Sequence, residues 1–531
     1  MAPPGQLALI LHAHLPFVRH PEHERFLEED WLFEALTETY LPLLDVFEGL
    51  VRDRIRLRVT LSLSPTLLSM VTDPLLQQRY RRYLDERIEA LADEQQRTRS
   101  DTAIQSVVKF YRARYAALRD RFRERDHGDV SQSFRRLAEA GHLELVTTAA
   151  THGYLPLLAV NEESLYAQLS MAVRTHQRVL GRHPRGIWLP ECAYTPGLDR
   201  ILAEFGFEYF ILDSHGLLNA DPRPRYGVHR PIRTPAGPVA FGRDFESSRE
   251  VWAAEGGYPG DPLYRDFYRD AGFDVPAAHI ARLHHAGQPG FTGLKYHRVT
   301  GATAVKEPYH PGQARERAAV HAADFLAKRR TQLQWLNSVL DRPPVIVAPY
   351  DAELFGHWWF EGPQWIDFLF RGLAADPDGI APATPTAVLD QDRDLQTATP
   401  PECSWGAGGF HEVWLNETND WIYPYLHAAA GRLSALVVQH PQAGGAARQA
   451  LDQAARELLL AQASDWAFMM TAGSSSAYAT QRIKTHLHRF DRCAAMVEHG
   501  PVDEPYLREI GDRDNLFPDI DYRIFQARPW C

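Results

Sequence analysis

Two acidic residues stand just past apolar, β-forming runs: Glu191 follows 184–189 (PRGIWL) and Asp351 follows 345–348 (VIVA). Such runs read as strands buried on both faces, as in parallel sheets, and parallel α/β folds place their chemistry at the carboxyl ends of strands. Two carboxyl groups facing one cleft suit cleavage of a glycosidic bond. One, ionised, attacks or stabilises the anomeric carbon, and the other hands its proton to the leaving oxygen. A separation of about 5–5.5 Å gives retention through a covalent glycosyl-enzyme, with water as acceptor for hydrolysis or a sugar hydroxyl for transfer. Taken alone, 345–362 (VIVAPYDAELFGHWWFEG) also fits an ordinary strand ended by Pro349, with Asp351 capping a helix and the tryptophans in the core. The second acid is what favours a site.

Other strand ends carry polar side chains too. The run 7–11 ends in His12-Ala13-His14. Residues two apart in an extended chain share a face, so both imidazoles point into one cavity. They fit a metal pair, hydrogen-bonding partners for a substrate, or two histidines satisfied at a strand end. His152 follows 142–147, Asp213 and His215 follow 207–212, and Arg243-Asp244 follow 238–241. Cys192, beside Glu191, reads as a packing thiol, and Glu353 as an orienting or helix N-terminal charge.

These runs, with 56–63, make about seven strands alternating with helical segments such as 31–44, which argues for an α/β fold built on a parallel barrel. Residues 73–136 interrupt it with a polar, helix-period stretch whose Arg and Glu at i, i+4 spacing read as solvated faces. Two long segments, 218–238 with Tyr226 and 255–296, read as cleft walls on the side where the strands end. Beyond about 379 the pattern turns helical, over 423–439, 446–463 and 476–498.

Composition bounds the function. The chain has 531 residues, 45% hydrophobic and 24% charged, as in soluble globular proteins. A net charge of −11 without a basic block argues against nucleic-acid and anionic-membrane partners and suits a neutral substrate. With 12 Trp and 21 Tyr the chain has flat faces with polar edges to offer sugar rings, although a large aromatic core accounts for most of them. Cys192, Cys403, Cys493 and Cys531 are far apart, which indicates neither a disulfide framework nor a zinc knuckle. The start, MAPPGQLALILHAHLPF, does not read as a signal peptide, and no stretch approaches a membrane span, so a cytoplasmic setting is expected.

Five ordered motifs then point to a family. HAHLPF at 12–17, THGYLP at 151–156, WLPECAY at 188–194, APYDAELFGHWWFEG at 348–362 and ELLLAQASDWAFMM at 457–470 resemble those of glycoside hydrolase family 57, and within it the 1,4-α-glucan branching enzymes. The resemblance covers all but the last thirty or so residues. It implies a (β/α)7 barrel (1–72 and 137–378), an inserted helical domain (73–136) and a C-terminal α-helical domain (379–531). It implies Glu191 as nucleophile and Asp351 as general acid/base of a retaining double displacement. This would cut an α-1,4 bond and transfer the chain to a 6-hydroxyl, with α-glucan as donor and acceptor and no metal or other cofactor. His12, His14 and His152 would line the donor subsite. Asp465, Trp405, Trp414 and Trp466 would shape the glucan cleft, with Asp213 and Trp358 also counted among its contacts. Tyr226 matches a loop tyrosine that keeps water from the glycosyl-enzyme. The alternatives are an α-amylase or 4-α-glucanotransferase of the same family, a metal-dependent hydrolase or deacetylase using His12 and His14, and a glucan-binding protein without catalysis. The last would be expected to lack Glu191 or Asp351.

Overall fold

The structure, a computed structural model, describes residues 5–526 apart from 254–255, 277–278, 281–286, 304, 378 and 474. Its strands are β1 (Gln6–Ala13), β2 (Val59–Leu63), β3 (Leu143–Val146), β4 (Gly186–Ile187), β5 (Tyr209–Leu212), β6 (Ile232–Arg233), β7 (Val239–Gly242), β8 (Val345–Asp351) and β9 (Ala381–Pro382). One sheet runs β3-β2-β1-β8, all parallel, with β9 joining the start of β1. The other runs β4-β5-β7 in parallel, with β6 antiparallel to β7. A parallel bridge between Thr147 and Ile187 links β3 to β4. At the other end, the Asp244 N–H donates to the Val347 carbonyl at 2.8 Å. The fold is thus α/β, parallel strands among many helices.

β1 is central because it is apolar from Leu7 to Leu11 and buried through Ala13, as a strand with a parallel neighbour on each side must be. Its register sets His12 beside Ser62 of β2 and Asp351 of β8. Pro349 does not end β8, contrary to the sequence expectation. The Val347 carbonyl points toward Asp244, so by the two-residue period the missing N–H of Pro349 falls on that same side. There β7 has already stopped at Gly242, and no ladder bond is lost. The strand thereby delivers Asp351 itself to the sheet end.

The helix Glu29–Ala35 passes into a π-helical turn, Leu36–Tyr40, and then into helix Leu41–Arg52. The extra residue of the π turn helps bury Thr37, Glu38, Thr39 and Tyr40 together. The polar stretch forms helices Pro74–Arg97, Thr102–Glu124 and Val130–Glu139, the first two packing through Tyr80 and Phe122. Its charges are not all solvated. Arg79, Arg87, Glu94 and Arg121 are buried, Arg79 against Glu29 and Arg121 against Asp45, Glu48 and Asp126. Spacing identifies a charged face but not what packs on it. The C-terminal part contributes helices Ile422–Gln439, Gly445–Ala461, Ser464–Ala472, Ser476–His499 and Glu504–Arg513. Cys531 lies outside the described residues, and Cys192, Cys403 and Cys493 are free and buried.

The segment 218–238 is not a wall at the strand ends. A short helix, Ser214–Leu218, follows β5, so the chain is already returning toward the start of β7. The second long segment does reach the carboxyl end of β8: Arg265 donates to the His357 carbonyl at 3.0 Å and pairs with Glu38. Glu38 also meets His357 Nδ1 at 2.7 Å, and burial would raise its pKa, but Arg265 and these partners hold it well below the carboxylate range. Gly356 (φ 119°) completes the corner, because a Cβ there would lie 1.9 Å from the Glu38 carbonyl oxygen.

Arg265→Met strands the Glu38 carboxylate and should cost on the order of 3–5 kcal/mol in denaturant titration at neutral pH. The double variant Glu38→Gln/Arg265→Met should lose less than the sum of the two single changes. Additive losses would mean that the pair is not coupled.

Candidate active site

Strand ends β1, β3, β4, β5, β7 and β8 converge on one cleft. From β1, His12 is buried, stacked on Trp188 at 4.6 Å, with Nδ1 at 3.1 Å from Ser62 Oγ and Nε2 at 3.0 Å from His152 Nε2. His14 stacks on His152 at 4.1 Å, and its ring lies 5.9 Å from that of His12. The two residues of the HxH pair thus sit side by side, as their spacing requires.

Their electrostatics differ. Burial pushes His12 and His152 well below the ordinary imidazole value, assisted by neighbouring histidines. Burial alone would lower His14 too, but Asp465, with both oxygens 3.2 Å from Nε2, together with Glu353 and Glu191, raises it. Of the three rings, His14 is the one whose surroundings favour the charged form, while those of His12 and His152 favour the neutral ring.

Glu191 lies in a 3-10 turn, Pro190–Cys192, that follows β4 and Trp188. Its backbone is left-handed (φ 61°, ψ 24°), as are those of Cys192 (φ 48°) and His152 (φ 57°). Non-glycine residues held in this region cost free energy and cluster at functional sites. The surroundings hold them. The Trp405 Nε1–H donates to Glu191 Oε2 at 2.7 Å, and the Trp405 N–H donates to the Glu191 carbonyl. Ser464 Oγ is 3.4 Å from Glu191 Oε1 and 2.8 Å from His152 Nδ1, and the Ser464 N–H donates to the His152 carbonyl. Lost solvation pushes Glu191 up to about 7; Asp465 adds to this, while the bonds from Trp405 and Ser464 and the charge of His14 oppose it.

Asp351 is raised well above the carboxylate range, first by desolvation and then by Glu353 and Glu191, with Arg243 opposing. The Glu191 charge thus bears on Asp351. Glu353 is also raised by desolvation, but it accepts from the Tyr40 hydroxyl and from the His14 N–H (3.2 Å), which places it behind the acid as an orienting charge. Asp213 caps the helix Ser214–Leu218 and lies 3.6 Å from Arg243.

Several expected contacts are placed elsewhere. Trp414 and Trp466 are only 1% exposed: Trp414 stacks on Tyr154 at 4.6 Å, and Trp466 donates to the Leu460 carbonyl and lies under Arg482. They are core residues that back the cleft, with no face left for a sugar ring. Of the tandem pair, Trp359 is buried and Trp358 is 51% exposed, stacked on Phe267 at 4.1 Å. Tyr226 does not reach the site. Its hydroxyl donates to Asp341 at 2.8 Å, just before β8 begins, whereas Asp351 ends that strand. Trp405 proves to be a direct partner of Glu191, beyond lining a cleft. No sequence pattern singles out Ser464, although it directly precedes Asp465 in the fifth motif, and Tyr40 comes to the site only through the π turn.

Among the described residues, two groups bring three potential metal ligand atoms within 4.8 Å: His14, His152 and Asp465 in the cleft, and Glu457, His486 and Asp514 in the C-terminal region. In the second group the donors already have protein partners: His486 Nδ1 lies 2.7 Å from Glu457, and Arg489 pairs with Asp514.

The family model described as "Glycosyl hydrolase family 57" matches residues 8–318, and "1,4-alpha-glucan branching enzyme, C-terminal" matches 425–525. The chain is 33% identical to a 1,4-alpha-glucan branching enzyme of Thermococcus kodakarensis, over 97% of this chain and 78% of that protein. Among solved structures, the alpha-amylase AmyC of Thermotoga maritima superposes with a TM-score of 0.93 at 42% identity, covering 99% of this chain and 100% of the other. The GH57-type branching enzyme of Pyrococcus horikoshii superposes with a TM-score of 0.90 at 33% identity, covering 99% and 97%. The chain belongs to glycosyl hydrolase family 57.

Proposed function

We propose that this chain is a 1,4-alpha-glucan branching enzyme working by retaining double displacement. The observation that carries the chemistry is that Glu191, in the turn after β4, and Asp351, at the end of β8, meet at one cleft from different sheets, with the Glu191 charge helping to raise Asp351 and so biasing the proton toward it. In the first step the Glu191 carboxylate bonds to the anomeric carbon, the glycosidic C–O bond breaks, and the Asp351 proton goes to the leaving oxygen. In the second, the Asp351 carboxylate takes the proton of an acceptor hydroxyl, whose oxygen bonds to the anomeric carbon as the Glu191 ester breaks. His12, His14, His152 and Asp465 are read as holding donor hydroxyls, Trp358 as a rim contact, and Asp213 as acting through Arg243. Branching in particular is supported by the C-terminal match and by the relatives of that activity.

The architecture we assign is a (β/α)7 barrel over 1–72 and 137–378, an inserted helical domain over 73–136 and a C-terminal helical domain over 379–531. The Thr147–Ile187 bridge and the Asp244–Val347 bond support joining the seven parallel strands into one closed wall. The C-terminal part brings Trp405, Ser464 and Asp465 to the cleft. A cytoplasmic role in glycogen-type glucan synthesis, without nucleic-acid or membrane partners, is part of this reading, and the charge of −11 without a basic block supports it.

A second reading, hydrolysis as in an α-amylase, is favoured by the 42% identity to AmyC and by the position of Tyr226 at the far end of β8. Proton NMR of amylose incubations separates the two: new α-1,6 signals support branching, and reducing ends without them support hydrolysis.

Glu191→Gln should lower kcat by about 10³-fold or more, with the fold intact by circular dichroism. Asp351→Asn should lose activity on amylose yet still form the glycosyl-enzyme from a glycosyl fluoride, whose leaving group needs no proton. Turnover by either variant near the wild-type rate would remove the assignment.

The pH profile has a defined sign. Activity needs Glu191 ionised and Asp351 protonated, so the acid limb of kcat/KM reports proton uptake by the pair and the alkaline limb its last proton loss. With Glu191 pushed up to about 7 and Asp351 raised, the bell should be centred above the ordinary carboxylate range. An acid limb near an unperturbed value of about 4 would contradict the desolvated pair.

A further inference from the structure

The active-site cleft contains a cation whose role is not accounted for by the two-carboxyl scheme. Arg243 directly follows β7, the strand end beside β8, and Asp244, the next residue, bonds to the Val347 carbonyl. The guanidinium is fixed on several sides. Its Nε–H donates to Ser248 Oγ at 2.6 Å, Nη1 lies 3.6 Å from Asp213 Oδ2, and its carbon lies 5.9 Å from the Trp252 ring and 5.7 Å from the Trp405 ring. The last contact leads to the nucleophile, since Trp405 bonds Glu191 through its ring N–H. An arginine over an indole face is attracted to it, more strongly where water is scarce.

We propose that Arg243 is a positioning residue of this reaction: it steadies Trp405, and through it Glu191, and supplies the positive charge that lets Asp351 act in turn as acid and base. The proposal rests on the Glu191–Asp351 reading above. The charges acting on Asp351 are Glu353, just beyond it in the chain, Glu191 from the turn after β4, and Arg243 from β7; Arg243 alone among them opposes protonation. His14 and Asp465 act on Glu191 and on each other, and Tyr40 is hydrogen-bonded to Glu353. In the first half of the cycle Asp351 must hold its proton, which desolvation and two nearby carboxylates favour. Once Glu191 is esterified its charge is gone, and the Asp351 carboxylate left after proton donation is under the Arg243 charge with one fewer like charge opposing it. Without that cation Asp351 takes its proton back from solvent and no longer serves as base, so the second step stalls.

The test is the pH profile on amylose for wild type, Arg243→Gln, Arg243→Lys and Ser248→Ala, beside Glu191→Gln. Arg243→Gln should move the alkaline limb of kcat/KM upward by about one pH unit and lower kcat about tenfold or more. It should also accumulate glycosyl-enzyme, seen by mass spectrometry after a glycosyl fluoride pulse. Arg243→Lys keeps the charge and should leave the limb within about 0.3 of wild type. Ser248→Ala, which frees the guanidinium Nε, should shift the limb in the same direction by less, and it carries the test should Arg243→Gln not fold. A folded Arg243→Gln with an unmoved limb and kcat within about threefold of wild type overturns the proposal, as does an unmoved limb in Ser248→Ala when Arg243→Gln is lost. Should Glu191→Gln stay active, it is the reading of the site that fails, and the Arg243 role falls with it.

Discussion

Glu191, Asp351 and Glu353 stand together at the strand ends with little water to solvate them, and lost solvation raises all three. Carboxyl groups so placed repel one another when ionised, so each must either keep a proton or acquire a compensating partner. Most of the cleft follows from how that constraint is met. Glu353 is met by Tyr40 and the His14 amide, Glu191 by Trp405 and Ser464, and Asp465 by the His14 ring. Asp351 has opposing like charges and one cation, which leaves it holding the proton that an acid catalyst needs.

These partners come from distant parts of the chain, which ties the chemistry to the assembly of the whole fold. Ser464 and Asp465 begin a helix of the C-terminal region, and the Ser464 N–H bonds to the His152 carbonyl. Tyr40 reaches Glu353 from a π turn that also buries Glu38, and Glu38 in turn anchors Arg265 and His357. The left-handed backbone at His152, Glu191 and Cys192 is sustained by this web. Strain of that kind persists only where surrounding contacts over-determine it.

The sequence made the strand-end acids legible because one rule, apolar run then polar residue, applies to every parallel strand. It did not reveal which way a connecting segment runs. The five-residue helix Ser214–Leu218 shows little periodicity, and passing over it puts 218–238 at the wrong end of the sheet, and Tyr226 with it. Indole side chains were equally ambiguous: Trp405, Trp414 and Trp466 have the same residue chemistry, and only packing separates the one that bonds Glu191 from the two sealed in the core. Pro349 misled because a proline breaks a strand only where its N–H was needed, and that depends on where β7 ends.

What decides the acceptor is then a matter of the cleft's walls rather than of its carboxyl groups. In the double displacement proposed above, a glycosyl-enzyme on Glu191 would react with whichever hydroxyl Asp351 can deprotonate, and water is in excess unless the walls exclude it. β7 passes into the helix Phe245–Trp252 through Arg243 and Asp244 alone, so no long loop rises there. The rim beside β8 is instead built from Trp358 stacked on Phe267, in a segment fastened by Arg265 to Glu38 and the His357 carbonyl. A fixed aromatic rim favours an acceptor with a flat apolar face, which a glucose ring has and water lacks. In the proposed reaction, how fully that rim is occupied is what would separate transfer from hydrolysis.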